Sequence, residues 1–522
     1  MDGSAIAGDR PGPDRFGPEH PDAEHPDAEH PDADHPGPDR SADLRRKVIA
    51  GTSWNFLGAA AERLIAFTVF ALVVRHLVPS QVGIVTLAAV FIDLSLVVTN
   101  GGLPEALIRH ENPTARSFDT AFWSNMALAG ALAGIIAILA VPIGHAYAEP
   151  DLPPVLWTLA ASFPLAALGM VHQARLARDF RFRALSLRGI AAMSCGGVVA
   201  ITMAFTGWGI WALVAQRLVT AAISAVSVWL ATGWVPGLRF DRAECRRLLS
   251  FGIRLTASTL LLQLTAMISL LVVGFVMDSA AVGYYRVATR LYDMVNQFVV
   301  APVTSVALTA FAAVQADRTR FAALYARLTG VVALVAIAIF AGMAVLAVPL
   351  IRLVFGAHWQ ASAPLLAILC LAAAPFCVNI FVWPALTARG AAHDVLKFGL
   401  VQLGSAIAIT LVAAPLGILA VACGQAARAY AVLPYGLRLT ARHTGAGSMA
   451  LVKPLVAPVL AALPMMGALL LLQHLLPDAG TLLILIIGVP LGAAIYAGAL
   501  ALIAPRRLAD AVQTLRDVRR RG

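Results

Sequence analysis

Charged residues are scarce in this chain. They make up 13% of its 522 residues, whereas 59% are hydrophobic and the mean hydropathy is +0.78. A water-soluble protein of this size needs far more charge to cover its surface. The composition therefore excludes a soluble enzyme and predicts that lipid is the solvent for most of the chain.

Cysteine is rare as well. Only five cysteines are present, without a Cys-x-x-Cys pair, so neither a disulfide framework nor a structural zinc site is expected. The motifs Gly-x-Ser-x-Gly and His-Glu-x-x-His and the Walker loop are also missing. We therefore expect no catalytic residue, no metal and no cofactor.

Long apolar stretches fill the chain between Gly51 and Ala504, and we count fourteen of them. Each has about 20 residues or more, the length at which a helix rising 1.5 Å per residue crosses roughly 30 Å of hydrocarbon. This pattern predicts an all-α, polytopic membrane protein with about 14 transmembrane helices.

The loops between these stretches alternate in charge. One set is rich in arginine, as in segments 175–188 and 239–247, whereas the other is acidic or neutral, as in segment 148–151. Only the loops that hold Arg75 and Arg352 break the alternation. By the positive-inside rule we expect a multi-pass protein of the cytoplasmic (inner) membrane with both termini in the cytoplasm. Segment 175–188 is expected to bind anionic lipids, and the basic loops are not expected to bind nucleic acid.

An internal repeat with an offset near 200 residues divides the apolar region. Val82-Gly83 recurs as Val282-Gly283, and Gly209-Ile210 recurs as Gly417-Ile418. Two copies of six helices keep the same topology and are related by an axis along the membrane normal, which allows two bundles to rock about a central site. The repeat predicts an alternating-access transporter.

We predict five segments along the chain. They are a disordered acidic tail (1–43), an N-terminal six-helix lobe (44–249), a C-terminal six-helix lobe (250–440), two additional helices, 13 and 14 (441–504), and a basic cytoplasmic tail (505–522). The first tail repeats a His-Pro-Asp-Ala unit from His20, and such a composition cannot form a packed core.

Ionisable residues inside the apolar stretches are costly in lipid and are our candidates for a substrate cavity. They are Glu62, Arg63, Asp93, Arg217, Arg254, Arg286, Arg290, Asp293, Gln297 and Arg428. Four of them, from Arg286 to Gln297, form a polar stripe along one predicted helix. Alternatively, Arg254 and Arg286 snorkel to lipid head groups, and Arg290 with Asp293 forms a structural ion pair. Trp359 is predicted to lie in an aromatic belt at the membrane interface.

Four short segments carry a family resemblance: 51–55 (Gly-Thr-Ser-Trp-Asn), 178–182 (Arg-Asp-Phe-Arg-Phe), 207–213 (Gly-Trp-Gly-Ile-Trp-Ala-Leu) and 355–359 (Phe-Gly-Ala-His-Trp). In this order they resemble the polysaccharide transporter (Wzx/WzxC-type oligosaccharide flippase) family of the multidrug/oligosaccharidyl-lipid/polysaccharide flippase superfamily. The resemblance covers about residues 44–440 and implies two six-helix lobes, with the last two helices as an extra pair. The acidic N-terminal tail departs from the family pattern.

The resemblance further implies a lipid-linked oligosaccharide flippase. Its substrate would be a polyprenyl-pyrophosphate-linked glycan repeat unit, moved to the outer leaflet for exopolysaccharide, O-antigen or capsule biosynthesis. A coupling ion, proton or sodium, and a polysaccharide assembly machinery are further partners that such a role would involve.

Three alternatives remain open at the level of sequence. A multidrug or toxin extruder of the same superfamily would favour an acidic cavity, whereas deep arginines outnumber deep acids here. A membrane polysaccharide polymerase would need a long outer loop with catalytic Arg or His, and the outer loops here are short. A scaffold without transport activity would not need charges in the middle of the membrane.

Overall fold

The computed structural model of this protein describes residues 38–109, 113–445, 447–477 and 479–505. All regular elements of these residues are helices, so the predicted all-α class is confirmed. The chain divides into two compact units, Met1–Ile49 and Ala50–Gly522, and every candidate residue belongs to the second. Most of the predicted acidic and basic tails, residues 1–37 and 506–522, lies outside the described residues.

The described part of the N-terminal half (44–249) contains eight helices before the chain enters α9. They are α1 Pro38–Val74, α2 Pro79–Asn100, α3 Leu103–Arg109, α4 Ala115–Ala146, α5 Leu152–Ala160, α6 Ser162–Arg178, α7 Phe182–Phe205 and α8 Trp211–Thr232. Helices α2 and α3 together make one membrane-spanning segment, as do α5 and α6.

The C-terminal half (250–440) and the additional helices follow. They are α9 Arg242–Val276, α10 Ser279–Val295, α11 Ala301–Ala313, α12 Arg318–Val345, α13 Ala347–Phe355, α14 Ser362–Cys370, α15 Ala373–Asn379, α16 Val382–Ala388, α17 Ala392–Ala413, α18 Ile418–Thr444, α19 Ser448–Leu475 and α20 Thr481–Ile503. A π-helix, Asn296–Val300, joins α10 to α11.

Twelve segments of the described chain are helical, long and apolar enough to cross a membrane. A thirteenth is added if α14 and the following helices, which are bent by 53° at the break, count as one span. The remaining predicted span is α18, whose 27 residues reach about 40 Å and so suffice to cross. Its apolar sequence is interrupted by Gln425 and Arg428 in the middle. The polytopic membrane class is therefore confirmed.

Helices α2 and α10, which the repeat relates, cross at their N-terminal ends through two glycines. A Cβ added to Gly83 would lie 1.7 Å from the carbonyl oxygen of Ser279, and one added to Gly283 would lie 2.1 Å from that of Pro79. Only glycine permits so close an approach of two backbones. We call this pair of contacts the glycine crossing; it joins the two halves at their predicted outer ends.

Further contacts between the halves lie beside the glycine crossing. Arg75 donates hydrogen bonds to the carbonyl oxygens of Leu353 and Val354 at the end of α13. The last carbonyl groups of a helix lack hydrogen-bond partners within the helix, and Arg75 supplies them. This explains why an arginine lies on the predicted outer side of the membrane, which is expected to be poor in cations. Trp359 donates its indole N–H to the Val74 carbonyl at 3.0 Å and is fully buried. The prediction that Trp359 lies in an interface belt is wrong, because it packs between the two halves.

Candidate functional site

A well-aligned ion pair joins two membrane-spanning helices of the N-terminal half, α2 and α8. Arg217 Nη1 donates to Asp93 Oδ1 at 2.8 Å, and Arg217 Nη2 donates to Asp93 Oδ2 at 3.1 Å. This bidentate arrangement is the strong form of a guanidinium–carboxylate contact. The side chains remain 36% and 27% exposed, respectively. The pair is therefore partly exposed and is not packed into the hydrophobic core.

The predicted polar stripe lies on α10, with a different pairing from the one expected. Arg286 Nη1 lies 3.7 Å from Asp293 Oδ2. Arg290 instead places its guanidinium over the ring of Phe70 of α1, 5.3 Å from the ring centroid. The ion pair is thus Arg286 with Asp293 and not Arg290 with Asp293, because Phe70 of a neighbouring helix takes the guanidinium of Arg290.

Gln297, at the end of the stripe, lies in the π-helix. A π-helix displaces the normal hydrogen-bond ladder and is frequent at functional sites. Arg63 Nη1 of α1 donates to the carbonyl oxygen of Gln297 at 3.1 Å. The backbone of Gln297, and not its side chain, therefore receives Arg63. This bond connects α1 of the N-terminal half to the middle of the eighth predicted span.

Asp93 and Asp293 hold equivalent places in the repeat, an equivalence not among the matches that predicted the repeat. Each lies ten residues after the glycine of the glycine crossing, Gly83 or Gly283. The charge of Arg290 interacts with those of Arg286, Asp293 and Arg217. Residues of α2, α8 and α10 therefore form one charged group, which we call the central cluster: Asp93, Arg217, Arg286, Arg290 and Asp293.

Glu62 lines a cavity of about 590 Å³ inside the N-terminal half. Its polar lining residues are Glu62, Asn100, Glu105, Gln173, Ser186, Arg188 and Ser224. Leu96 and Ala221, also in its wall, lie about one helical turn beyond Asp93 and Arg217, so the cavity extends close to the ion pair. The Glu62 carboxylate packs on Gly189 and interacts electrostatically with Arg188 and Arg63. Arg188, which the sequence placed in a lipid-binding loop, is thus an additional residue of this cavity.

Arg428 is held by neutral partners in the C-terminal half. Its Nε donates to Gln425 Oε1 at 2.8 Å and its Nη1 donates to Gln402 Oε1 at 2.7 Å. The Gln425 amide in turn donates to the Thr410 hydroxyl at 2.8 Å. The remaining candidate, Arg254, lies outside the side chains that the structure describes. The Nε and Nη1 groups of Arg428 are therefore already hydrogen-bonded to amide side chains.

The chain matches known proteins of polysaccharide biosynthesis. The model of a family described as polysaccharide biosynthesis protein matches residues 72–364, more than half of the chain. The succinoglycan biosynthesis transport protein ExoT of Rhizobium meliloti is 24% identical over 62% of this chain and 66% of its own length. The lipopolysaccharide biosynthesis protein WzxC of Escherichia coli is 24% identical over 63% of this chain and 67% of its own. The chain thus spans about two thirds of the length of these relatives.

Two solved structures show the fold. An inward closed conformation of the lipid II flippase MurJ aligns with a TM-score of 0.70 and 15% identity over 87% of this chain and 98% of its own. An inward-facing multidrug resistance MATE family transporter of the MOP superfamily aligns with a TM-score of 0.58 and 15% identity over 73% and 95%. The fold is therefore one of helical membrane transporters. The residues matched by the family model include three of the four short segments, 178–182, 207–213 and 355–359. The family model matches more than half of the chain, so the chain belongs to the polysaccharide biosynthesis protein family, and the family resemblance is confirmed.

Proposed function

We propose that this protein is a flippase that moves polyprenyl-pyrophosphate-linked oligosaccharide across the cytoplasmic membrane for surface polysaccharide biosynthesis. The observation that carries the proposal is the central cluster, which holds three arginines and two aspartates on membrane-spanning helices of both halves. Charges at such positions are costly in lipid and are typical of a polar transport path. The names of the relatives, a transport protein among them, support the same role.

The chemistry of this task fits the residues present. The pyrophosphate must be neutralised while it crosses hydrocarbon, and an arginine binds phosphate through two parallel N–H groups. Arg217 of α8 and Arg290 of α10 supply such groups within the central cluster. Because moving the lipid breaks no bond, the role requires a transporter and not an enzyme.

The contacts at the predicted outer ends support alternating access between the two lobes, 44–249 and 250–440. The glycine crossing, Arg75 and Trp359 hold these ends together. The cavity that holds Glu62 lies nearer the opposite ends of its helices and includes Arg188 beside the basic loop. We propose that this arrangement corresponds to a state closed to the outside, with both termini in the cytoplasm.

The excess of cations favours an anionic substrate over a cationic drug. The likeness to a multidrug transporter shows the fold alone and does not separate the two. We further propose that a proton or sodium ion drives transport and that a polysaccharide assembly machinery takes up the product. Anionic lipids are proposed to bind the cations of segment 175–188 other than Arg188, which lines the cavity.

Deletion of the protein from its host tests this function. We expect lipid-linked repeat units to accumulate in the inner leaflet and surface glycan to be lost. Lipid extraction with mass spectrometry and surface glycan staining measure the two effects, and the wild-type protein supplied in trans restores both. Normal surface polysaccharide in a clean deletion, in a host without a second flippase for the same glycan, would exclude the proposal.

A further inference from the structure

We propose that Asp93 is an internal counter-ion, which occupies Arg217 in the empty protein and is displaced by the pyrophosphate of the lipid-linked substrate. This inference rests on the proposed function and deepens it. Asp93 would be a positioning residue that touches no substrate itself but sets how tightly Arg217 holds the anion and how readily Arg217 releases it.

The geometry of the pair shows which atoms of Arg217 the carboxylate occupies. Asp93 engages both terminal nitrogens of Arg217, at 2.8 and 3.1 Å. A phosphate that binds bidentately uses the same two nitrogens and the same edge of the guanidinium. The carboxylate and the phosphate therefore compete for Arg217 along this edge.

The surroundings of the pair bear on whether a ligand can reach it. The Arg217 side chain is 36% exposed and that of Asp93 is 27% exposed, so an exchanging ligand has access to both. The cavity of about 590 Å³ begins about one helical turn away, at Leu96 and Ala221, and its volume lies within the range of ligand pockets. Arg290 adds a positive charge that interacts with Arg217 and favours an arriving anion.

The internal repeat supplies a matched comparison. Asp293 is the equivalent of Asp93, yet its contact with Arg286 is a single one at 3.7 Å. Because this contact is longer and not bidentate, Asp293 competes less with an incoming phosphate. Neutralising Asp93 should therefore change ligand affinity more than neutralising Asp293.

A counter-ion has a consequence for turnover. When the carboxylate returns to Arg217, it helps to expel the pyrophosphate, so tight binding does not trap the cargo. Without the carboxylate, the protein binds the substrate more strongly both before and after transport, and to the same extent. Such uniformly stronger binding does not raise the transport rate. Loss of Asp93 should thus increase affinity and reduce transport, a combination that a purely structural role does not produce.

The test measures binding of farnesyl pyrophosphate to the full chain in lipid nanodiscs. We expect Asp93→Asn to bind about fivefold more tightly than wild type, the upper end of what a partly exposed ion pair contributes. Asp293→Asn should change affinity less. Arg217→Gln should bind more weakly, and Asp93→Asn combined with Arg217→Gln should match Arg217→Gln alone, since no guanidinium remains to be freed. The surface variant Asp151→Asn has the same charge change and serves as the control; Asp151 is exposed.

The outcomes separate this inference from the function on which it rests. If wild type binds farnesyl pyrophosphate but Asp93→Asn binds equally or more weakly, Asp93 is not a competing counter-ion. If wild type and Arg217→Gln both fail to bind, the pyrophosphate contact itself is wrong and the proposed function loses its main support. Protein level and thermal stability are measured for each variant, and Asp93→Ser replaces Asp93→Asn if the latter does not accumulate.

Discussion

Arg290 occupies a different environment from the other two arginines of the central cluster. Arg217 and Arg286 each contact an aspartate, whereas Arg290 lies over the ring of Phe70. Its Nε is buried and has no hydrogen-bond partner among the described residues. An arginine whose hydrogen-bonding capacity is incompletely used is well suited to receive a phosphate oxygen.

We therefore expect Arg290→Ala to abolish transport while the protein level in the membrane stays near that of wild type. Arg290→Lys should retain part of the activity, because lysine keeps the charge but not the bidentate fork. Surface glycan staining and immunoblotting of membranes measure the two quantities. Arg320→Ala is the control, since this side chain is 80% exposed outside the central cluster.

A structural role for Arg290 would give a different pattern. Removal of a structural partner leaves Asp293 less compensated and lowers the protein level, and combining Arg290→Ala with Asp293→Ala then restores folding and transport. Recovery of transport in this double variant would contradict a direct contact between Arg290 and the substrate.

At the residue scale, the sequence predicted which ionisable residues matter but not how they pair. Asp93 and Arg217 were both candidates, yet 124 residues separate them, and only the fold brings them together. The spacing of Arg290 and Asp293 favoured a pair on one helix face. Instead, the guanidinium of Arg290 lies over the ring of Phe70, which belongs to a distant part of the chain.

At the scale of helices, the glycine crossing brings the backbones of α2 and α10 into close contact. A methyl group on Gly83 or Gly283 would overlap a carbonyl oxygen of the facing helix, so the helices must separate. Forced overpacking of this kind costs about 1–3 kcal/mol. Because the crossing lies at the predicted outer ends, relief of the overlap should favour a state that is open to the outside.

We expect Gly83→Ala and Gly283→Ala to increase labelling of a cysteine placed at Ser279, in a variant free of other cysteines. Ser279 is 3% exposed in the structure and should label slowly when glycine is present. An impermeant maleimide added to intact cells measures the rate. Gly130→Ala on α4 is the control, because a Cβ there meets nothing within 4 Å. Equal labelling in all variants would show that the glycine crossing does not close the outer end.

The sequence repeat related α2 to α10 but could not show that the two helices pack on each other. Matching residues at a fixed offset indicate equivalent positions, and equivalence alone does not fix distance. Trp359 was misplaced for a similar reason. Its position at the end of an apolar run is typical of an interface residue, whereas its contact with Val74 depends on a segment 285 residues away.

At the scale of the whole molecule, the orientation in the membrane remains a prediction from charge. We expect a single cysteine at Asp151 to react with an impermeant maleimide added to intact cells, and a single cysteine at Arg320 to react only after the cells are opened. Both side chains are exposed in the structure, so a difference in labelling would not be due to a difference in burial. Outside labelling at Arg320 would reverse the proposed topology.

The class and family were predictable from sequence because they depend on length, apolarity and short ordered segments. The central cluster and the cavity that holds Glu62 were only partly predictable, since both form between helices that are distant in the chain. Arg188 illustrates this difference. It was assigned to a basic loop by its neighbours in sequence, and the fold turns it towards the N-terminal cavity.

Direct measurement of lipid-linked glycan movement in proteoliposomes tests the central claim most directly. The purified chain is reconstituted with polyprenyl-pyrophosphate-linked oligosaccharide extracted from its host, and an impermeant lectin reports the glycan fraction in the outer leaflet over time. We expect wild type and Arg320→Ala to move glycan between leaflets and Arg290→Ala to move none. Equal rates in wild-type, Arg290→Ala and protein-free vesicles would contradict transport through the central cluster.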